Sequence, residues 1–173
     1  MTEYIDIIDE KCQVIDIVTK EVAHAKGLLH ETVVAEIFNA RGEMLLVKQS
    51  DIKQDAGRYV SPVGGHVTSG ETLDMALKRE AQEEVGLVDF TYTKRGAFIF
   101  KRQILGGIEN HHFNIFEIQA DFVPVLNEES VSFKWFPRKE MDRLFIESPQ
   151  VFGKAFLLIW EKYYLHDESG ESK

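Results

Sequence analysis

Residues 65–87, GHVTSGETLDMALKREAQEEVGL, run from a glycine-rich turn into an amphipathic helix that carries four carboxylates, Asp74, Glu80, Glu83 and Glu84. Thr72 is suited to cap the helix, Asp74 lies in the first turn where the helix dipole favours negative charge, and Gly86 supplies a left-handed stop. The pattern therefore predicts a helix over residues 73–85. At 3.6 residues per turn Leu73, Ala76, Leu77 and Ala81 gather on one face, which must be the core face. Glu80 and Glu84 fall one turn apart inside or at the rim of that same face, and Glu83 lies beside them at the i+3 spacing.

Removing one carboxylate from water costs several kcal/mol, and neighbouring negative charges add to the cost unless something positive is close. A divalent cation would resolve the conflict. Oxygen-only ligands of high charge density select hard ions, so Mg²⁺ or Mn²⁺ suits the cluster better than Zn²⁺. Taken alone, the wheel is equally consistent with a solvated acidic helix face.

The rest of the chain bounds the answer. Its 173 residues predict one domain over residues 1–165, with the N-terminal hairpin and short helix of residues 1–30 belonging to it and a disordered tail at 166–173. A net charge of −9 argues against a nucleic-acid partner, because phosphate contacts along a backbone need a basic face. The single cysteine, Cys12, fits a reducing compartment, and no apolar run is long enough to cross a bilayer. A cytoplasmic chain without a membrane partner is expected.

Short β-rich runs at 4–9 and 13–18 predict a hairpin, followed by a helix that Thr19 caps and Gly27 ends. The runs at 32–38 and 44–48 flank the turn-rich Asn39-Ala40-Arg41-Gly42 and read as a second hairpin. Lys48, Lys53 and Arg58 lie in or beside the polar loop 49–58. Beyond residue 87 there are long strand candidates at 91–103 and 112–123, with Glu109, His111 and His112 between them. A short strand over 135–137 then leads into a helix, and a final helix spans about 151–165. That last helix is apolar nearly all round, which means deep burial or a face shared with a second copy, so a homodimer is one expected arrangement.

The order Gly65, five residues, Glu71, seven residues, Arg79-Glu80, Ala81, one residue, Glu83-Glu84, one residue, Gly86-Leu87 resembles the complete Nudix box. The resemblance implies an α+β fold, an α/β/α sandwich with a mixed β-sheet between helices, and a divalent-metal-dependent hydrolase. It would cleave the diphosphate linkage of a nucleoside diphosphate joined to another moiety, or of a related organic diphosphate. On this reading Glu83 and Glu84 bind Mg²⁺ or Mn²⁺, Glu80 is a third ligand or the base, and Gly65 adds its backbone carbonyl. Arg79 and Glu71 form a supporting salt bridge. An acidic residue from outside the box often completes such sites. Glu109 is the one nominated here, with Glu128 and Glu129 as competitors. Lys53 and Arg58 could meet substrate phosphates, and Tyr59 could stack on a base, although Tyr59, Phe98, Phe100 and Phe113 are better suited to the core.

Leu29-His30, the FNARGEMLL segment, Lys53 and Gly65-His66 also look like the type I isopentenyl-diphosphate isomerase branch of the superfamily. His30, His66 and Glu109 fall where that enzyme places metal ligands. Two departures oppose isomerase chemistry: Gly64 stands where the isomerase needs cysteine, and His111 where it needs glutamate. With those roles gone, His66 reads as a turn residue. A non-catalytic nucleotide-sensing module is the alternative from another class.

Overall fold

The computed structural model describes residues 2–166. The element order is β1 (Tyr4–Ile8), β2 (Val14–Thr19), α1 (Lys20–Lys26), β3 (His30–Phe38), β4 (Met44–Gln49), β5 (Tyr59–Val60), β6 (Val63–His66), α2 (Leu73–Val85), β7 (Tyr92–Ile104), β8 (Gly107–Gln119), β9 (Ser130–Phe136), α3 (Arg138–Glu147) and α4 (Lys154–Tyr163). Strand β3 is the hub. It pairs antiparallel with β1, β4 and β6, and parallel with β8 from His30 opposite His111 to Phe38 opposite Gln119. Strand β8 then pairs with β7, and β4 with β9, so the sheet is mixed.

Because successive strand side chains point to opposite faces, β3 and β4 separate two cores. Val33, Ala35 and Ile37 of β3 join Leu45 and Val47 of β4 on one face, where Ala76, Leu77, Ala81 and Val85 of α2 cover them. Val34, Met44 and Leu46 point the other way and meet Phe156, Ile159 and Trp160 of α4. Each of those large buried side chains contributes roughly 1.5–3 kcal/mol relative to exposure, which explains why both faces of the sheet must be covered. The result is the expected α+β sandwich, with helices on both sides of a mixed sheet.

Local signals hold where capping chemistry is explicit. Thr72 Oγ1 accepts the Met75 N–H at 3.2 Å, and Gly86 closes α2 in the left-handed region at φ 72°. Thr19 and Gly27 bound α1 in the same way. Other expectations are corrected. Strands β5 and β6 were not anticipated, and β9 begins five residues earlier than predicted, at Ser130. Glu109, His111 and His112 lie within β8 rather than between strands. The last helix begins at Lys154 because Phe152 and Gly153 are extended, with the Gly153 N–H donating to Tyr59 O at 2.8 Å. Its apolar stripe is spent on the chain's own sheet. From residue 167 onward, the predicted disordered tail lies outside the described residues.

Candidate functional site

The site is built where α2 packs behind β6. Strand β6 is held against β3 with Gly64 opposite Val34 and Gly65 opposite Val33, and helix α2 lies against the same backbone. A Cβ added at Gly65 would fall on the Glu80 carboxylate, so only glycine lets that carboxylate lie against the strand. One residue earlier, the Gly64 N–H donates to Glu84 Oε2 at 2.6 Å. The diglycine thus brings bare backbone up to two carboxylates of the helix.

Arg79 organises the rest. Its Nε and Nη2 donate to the two Glu71 oxygens at 2.8 and 2.9 Å, its Nη2 also reaches His66 O at 2.9 Å, and its Nη1 lies 2.6 Å from Glu80 Oε1 and 3.5 Å from Glu83 Oε2. Glu71 Oε2 in turn accepts the Thr68 N–H at 2.9 Å. The loop before α2, the end of β6 and the helix are therefore tied through one guanidinium.

The electrostatics are those of carboxylates withdrawn from water beside one another. Burial pushes the Glu84 carboxyl well above the ordinary range, and the charge of Glu80 adds to the shift, opposed in part by the Gly64 amide. Burial also raises Glu80, against the pull of Arg79. Glu83 remains more than half exposed at the mouth. Hard oxygen donors, desolvated beside one another and beside open glycine backbone, fit a divalent cation such as Mg²⁺ or Mn²⁺.

Two cavities share this floor. One, of about 430 Å³, is bounded by Arg79, Glu80, Glu83 and Glu84. The other, of about 210 Å³, passes Glu84 and Gly65 to His66, His111, Arg102 and Glu109. Lys53 lines both and pairs with Glu129 at 2.6 Å. Arg58 lies outside their walls, exposed and ion-paired to Asp55 at 3.6 Å. Tyr59 also lies outside them, edge-on to Phe136 in the core, and Phe100 and Phe113 are core residues stacked on each other. Glu109 reaches the smaller cavity, but its carboxylate is engaged by Arg102 Nε at 2.5 Å, and Arg102 Nη1 holds Asp55 at 2.9 Å.

Four imidazoles stand next to this floor; the isomerase resemblance sets His30 and His66 at metal-ligand positions, reads His111 only as a departure from it, and passes over His24. His24 from α1, His30 from β3, His66 from β6 and His111 from β8 each present one ring nitrogen, and all four lie within 4.8 Å of one another. His66 is the last residue of β6, not a turn residue, and it belongs to this group. Burial holds all four imidazoles below their ordinary range, His30 to about 4 and His111 to about 2. Arg102 was missed because its position in an alternating strand reads as an ordinary exposed cation.

A carboxylate helix docked behind a diglycine strand in a mixed sheet defines a class of fold, and comparison with known proteins gives its name. The NUDIX domain model matches residues 28–154, so the chain belongs to the Nudix family, as a Nudix hydrolase. Isopentenyl-diphosphate Delta-isomerase 2 of Photorhabdus laumondii is 29% identical over 159 residues, covering 90% of this chain and 89% of that protein. The uncharacterized Nudix hydrolase YfcD of Escherichia coli is 29% identical over 101 residues, covering 58% and 56%. Among solved structures, DR0079 of Deinococcus radiodurans superposes with a TM-score of 0.76 at 20% identity, over 94% of this chain and 99% of that one.

Proposed function

We propose that this hydrolase cleaves the diphosphate linkage of a nucleoside diphosphate joined to a second moiety, or of a related organic diphosphate, with Mg²⁺ or Mn²⁺ held by Glu80, Glu83 and Glu84 and the Gly65 carbonyl. The observation that carries the reading is the desolvated Glu80–Glu84 pair set against the Gly64-Gly65 backbone at the junction of two cavities. When bound, the ion would neutralise charge on the diphosphate and lower the pKa of a coordinated water.

The chain's own groups supply the rest. Where Glu80 is not a third ligand, its carboxylate, whose proton affinity burial raises, accepts the proton of the attacking water. The water oxygen forms the new bond to one phosphorus, the bridging P–O bond breaks, and its electron pair leaves with the other phosphate. Lys53 stands at the shared edge of both cavities, where it can meet phosphate oxygens at the cost of its contact with Glu129. Arg79 and Glu71 touch no substrate; they hold Glu80 and the end of β6 in register.

Isomerase chemistry receives no support at the two positions where it needs an acid and a base. Gly64 offers only its backbone, and His111 packs among three other imidazoles. The test is incubation with Mg²⁺ and a panel of nucleoside triphosphates, dinucleoside polyphosphates, ADP-ribose, NADH, nucleotide sugars, coenzyme A and prenyl diphosphates, with products identified by mass. Cleavage at a diphosphate that EDTA abolishes and Glu84→Gln removes is the expected result. An isomerised prenyl diphosphate with no phosphate released would overturn the reading, as would a ligand that binds and is recovered intact.

A further inference from the structure

On the face of the sheet opposite the four imidazoles, another set of side chains converges. Successive strand residues point to opposite faces, so where His30 and His111 turn one way, Glu31 of β3 and His112 of β8 turn the other, side by side in the parallel register. Cys12, in the turn between β1 and β2, closes on them. His112 Nδ1 lies 3.5 Å from Glu31 Oε1 and 3.6 Å from Cys12 Sγ, and one donor atom from each of the three residues falls within 4.8 Å of the others.

Hydrogen bonding does not account for this convergence. The separation of Nδ1 from the carboxylate, 3.5 Å, exceeds the usual range, and the sulfur is 3.6 Å from Nδ1 and 3.9 Å from Nε2, aimed at neither. Metal coordination does account for the spacing. A tetrahedral ion about 2.3 Å from sulfur and about 2.0–2.2 Å from nitrogen and oxygen sets sulfur about 3.6 Å and oxygen about 3.4 Å from the imidazole nitrogen. The observed separations fall at those values, and Cys12, being exposed, is free to turn its sulfur onto Nδ1.

We propose that Cys12, Glu31 and His112 form a metal site on this face of the sheet, taking an ion of the Zn²⁺ class with three protein ligands and one position open to solvent. Thiolate and imidazole favour Zn²⁺ or Co²⁺ over hard Mg²⁺, the reverse of the preference of the α2 carboxylates. On binding, the Cys12 thiol gives its proton to solvent, and the thiolate and the Glu31 carboxylate together balance the two charges of the ion. The site shares no residue with the α2 carboxylates or with the four imidazoles. Its consequence is mechanical. Strands β1 and β3 share one register pair, Ile7 opposite His30, and the ion pins the turn of that hairpin to β3 and β8. The hairpin leads directly into α1, whose Lys20 lines the larger cavity.

Cys12 is the only cysteine of the chain, so sulfur ligation has a single source. Metal-free protein titrated with Co²⁺ should develop a near-ultraviolet sulfur-to-metal charge-transfer band that Zn²⁺ bleaches and excess Mg²⁺ leaves unchanged. Zn²⁺ should also abolish alkylation of Cys12 by iodoacetamide, and EDTA should restore it. His112→Asn and Glu31→Gln keep the thiol, and each should lose the band or weaken Co²⁺ binding by more than the roughly 10- to 100-fold expected for a group that only orients a ligand. Glu83→Gln/Glu84→Gln should retain the band. A band that persists unshifted in both His112→Asn and Glu31→Gln would mean that the cysteine takes up metal alone, and overturns the proposal. If those variants unfold, the wild-type protein decides: no charge-transfer band, or a thiol that Zn²⁺ leaves open to alkylation, overturns it as well.

Discussion

Arg79 grips Glu71 with a two-pronged contact, Nε to Oε1 at 2.8 Å and Nη2 to Oε2 at 2.9 Å, and Oε2 also accepts the Thr68 N–H. Glu84 has a different surrounding, a single backbone N–H and a neighbouring carboxylate. Glu71→Gln should therefore lower kcat/KM by about 10- to 100-fold, the range for groups that orient a ligand. Glu84→Gln should lower it by a further factor of at least ten. Equal losses in the two variants would erase the distinction between positioning and direct contact.

Arg102 is enclosed with two carboxylates, Asp55 and Glu109, all three mostly shielded from solvent. Arg102→Ala strands the Glu109 carboxylate and leaves Asp55 only the longer contact with Arg58, and should cost about 3–5 kcal/mol of stability. Urea denaturation at pH 7 measures it. Replacing Asp55 and Glu109 together with their amides in the Arg102→Ala background should recover part of the loss, because those negative charges are then gone.

Among the described residues, Glu36 is the carboxylate wholly inside the sheet, with Ser61 Oγ donating to Oε1 at 2.5 Å and Oε2 unpartnered. Burial raises its pKa to about 8. A group whose folded pKa exceeds its unfolded value stabilises below the unfolded pKa and loses that contribution as pH rises through the folded one. Stability should fall between about pH 4.5 and 8 on this account. Glu36→Gln should flatten that slope and gain about 3 kcal/mol near pH 7, as an upper figure. Melting temperatures of the two proteins across pH 5–8 would show parallel curves if the carboxyl were already paired.

Leu77 is completely buried where α2 meets β3 and β4. Leu77→Ala should cost about 2–5 kcal/mol, while Met75→Ala on the exposed side of the same helix should cost under about 1. Chemical denaturation of both variants separates the buried from the solvent face.

How much of this was legible in the chain follows from the kind of signal each feature leaves. Helix α2 was readable to the residue, because Thr72, the Leu73–Ala76–Leu77–Ala81 stripe and Gly86 are local. Strand β6 was not, since VGGH lacks the branched and aromatic residues that mark strands and is held by its partner β3 instead. The box carboxylates could be named from spacing. Of the imidazole group only His30 and His66 could be set together, through a resemblance; His24 and His111 are distant in the chain, and the four meet only through the parallel register that sets His30 beside His111 and the antiparallel one that sets Thr32 beside His66. Parallel pairing leaves no turn between its strands to announce it.

The contact between Gly65 and the Glu80 carboxylate offers experimenters a particular kind of reagent. Replacing a glutamate alters the charge of the site and with it the folding energy, the pH response and the affinity for every ion in the buffer. Gly65→Ala would add a single methyl group, leave each carboxylate in the sequence, and oblige Glu80 to turn aside. A folded protein of unchanged charge with a displaced carboxylate would distinguish what the centre does by geometry from what it does by electrostatics.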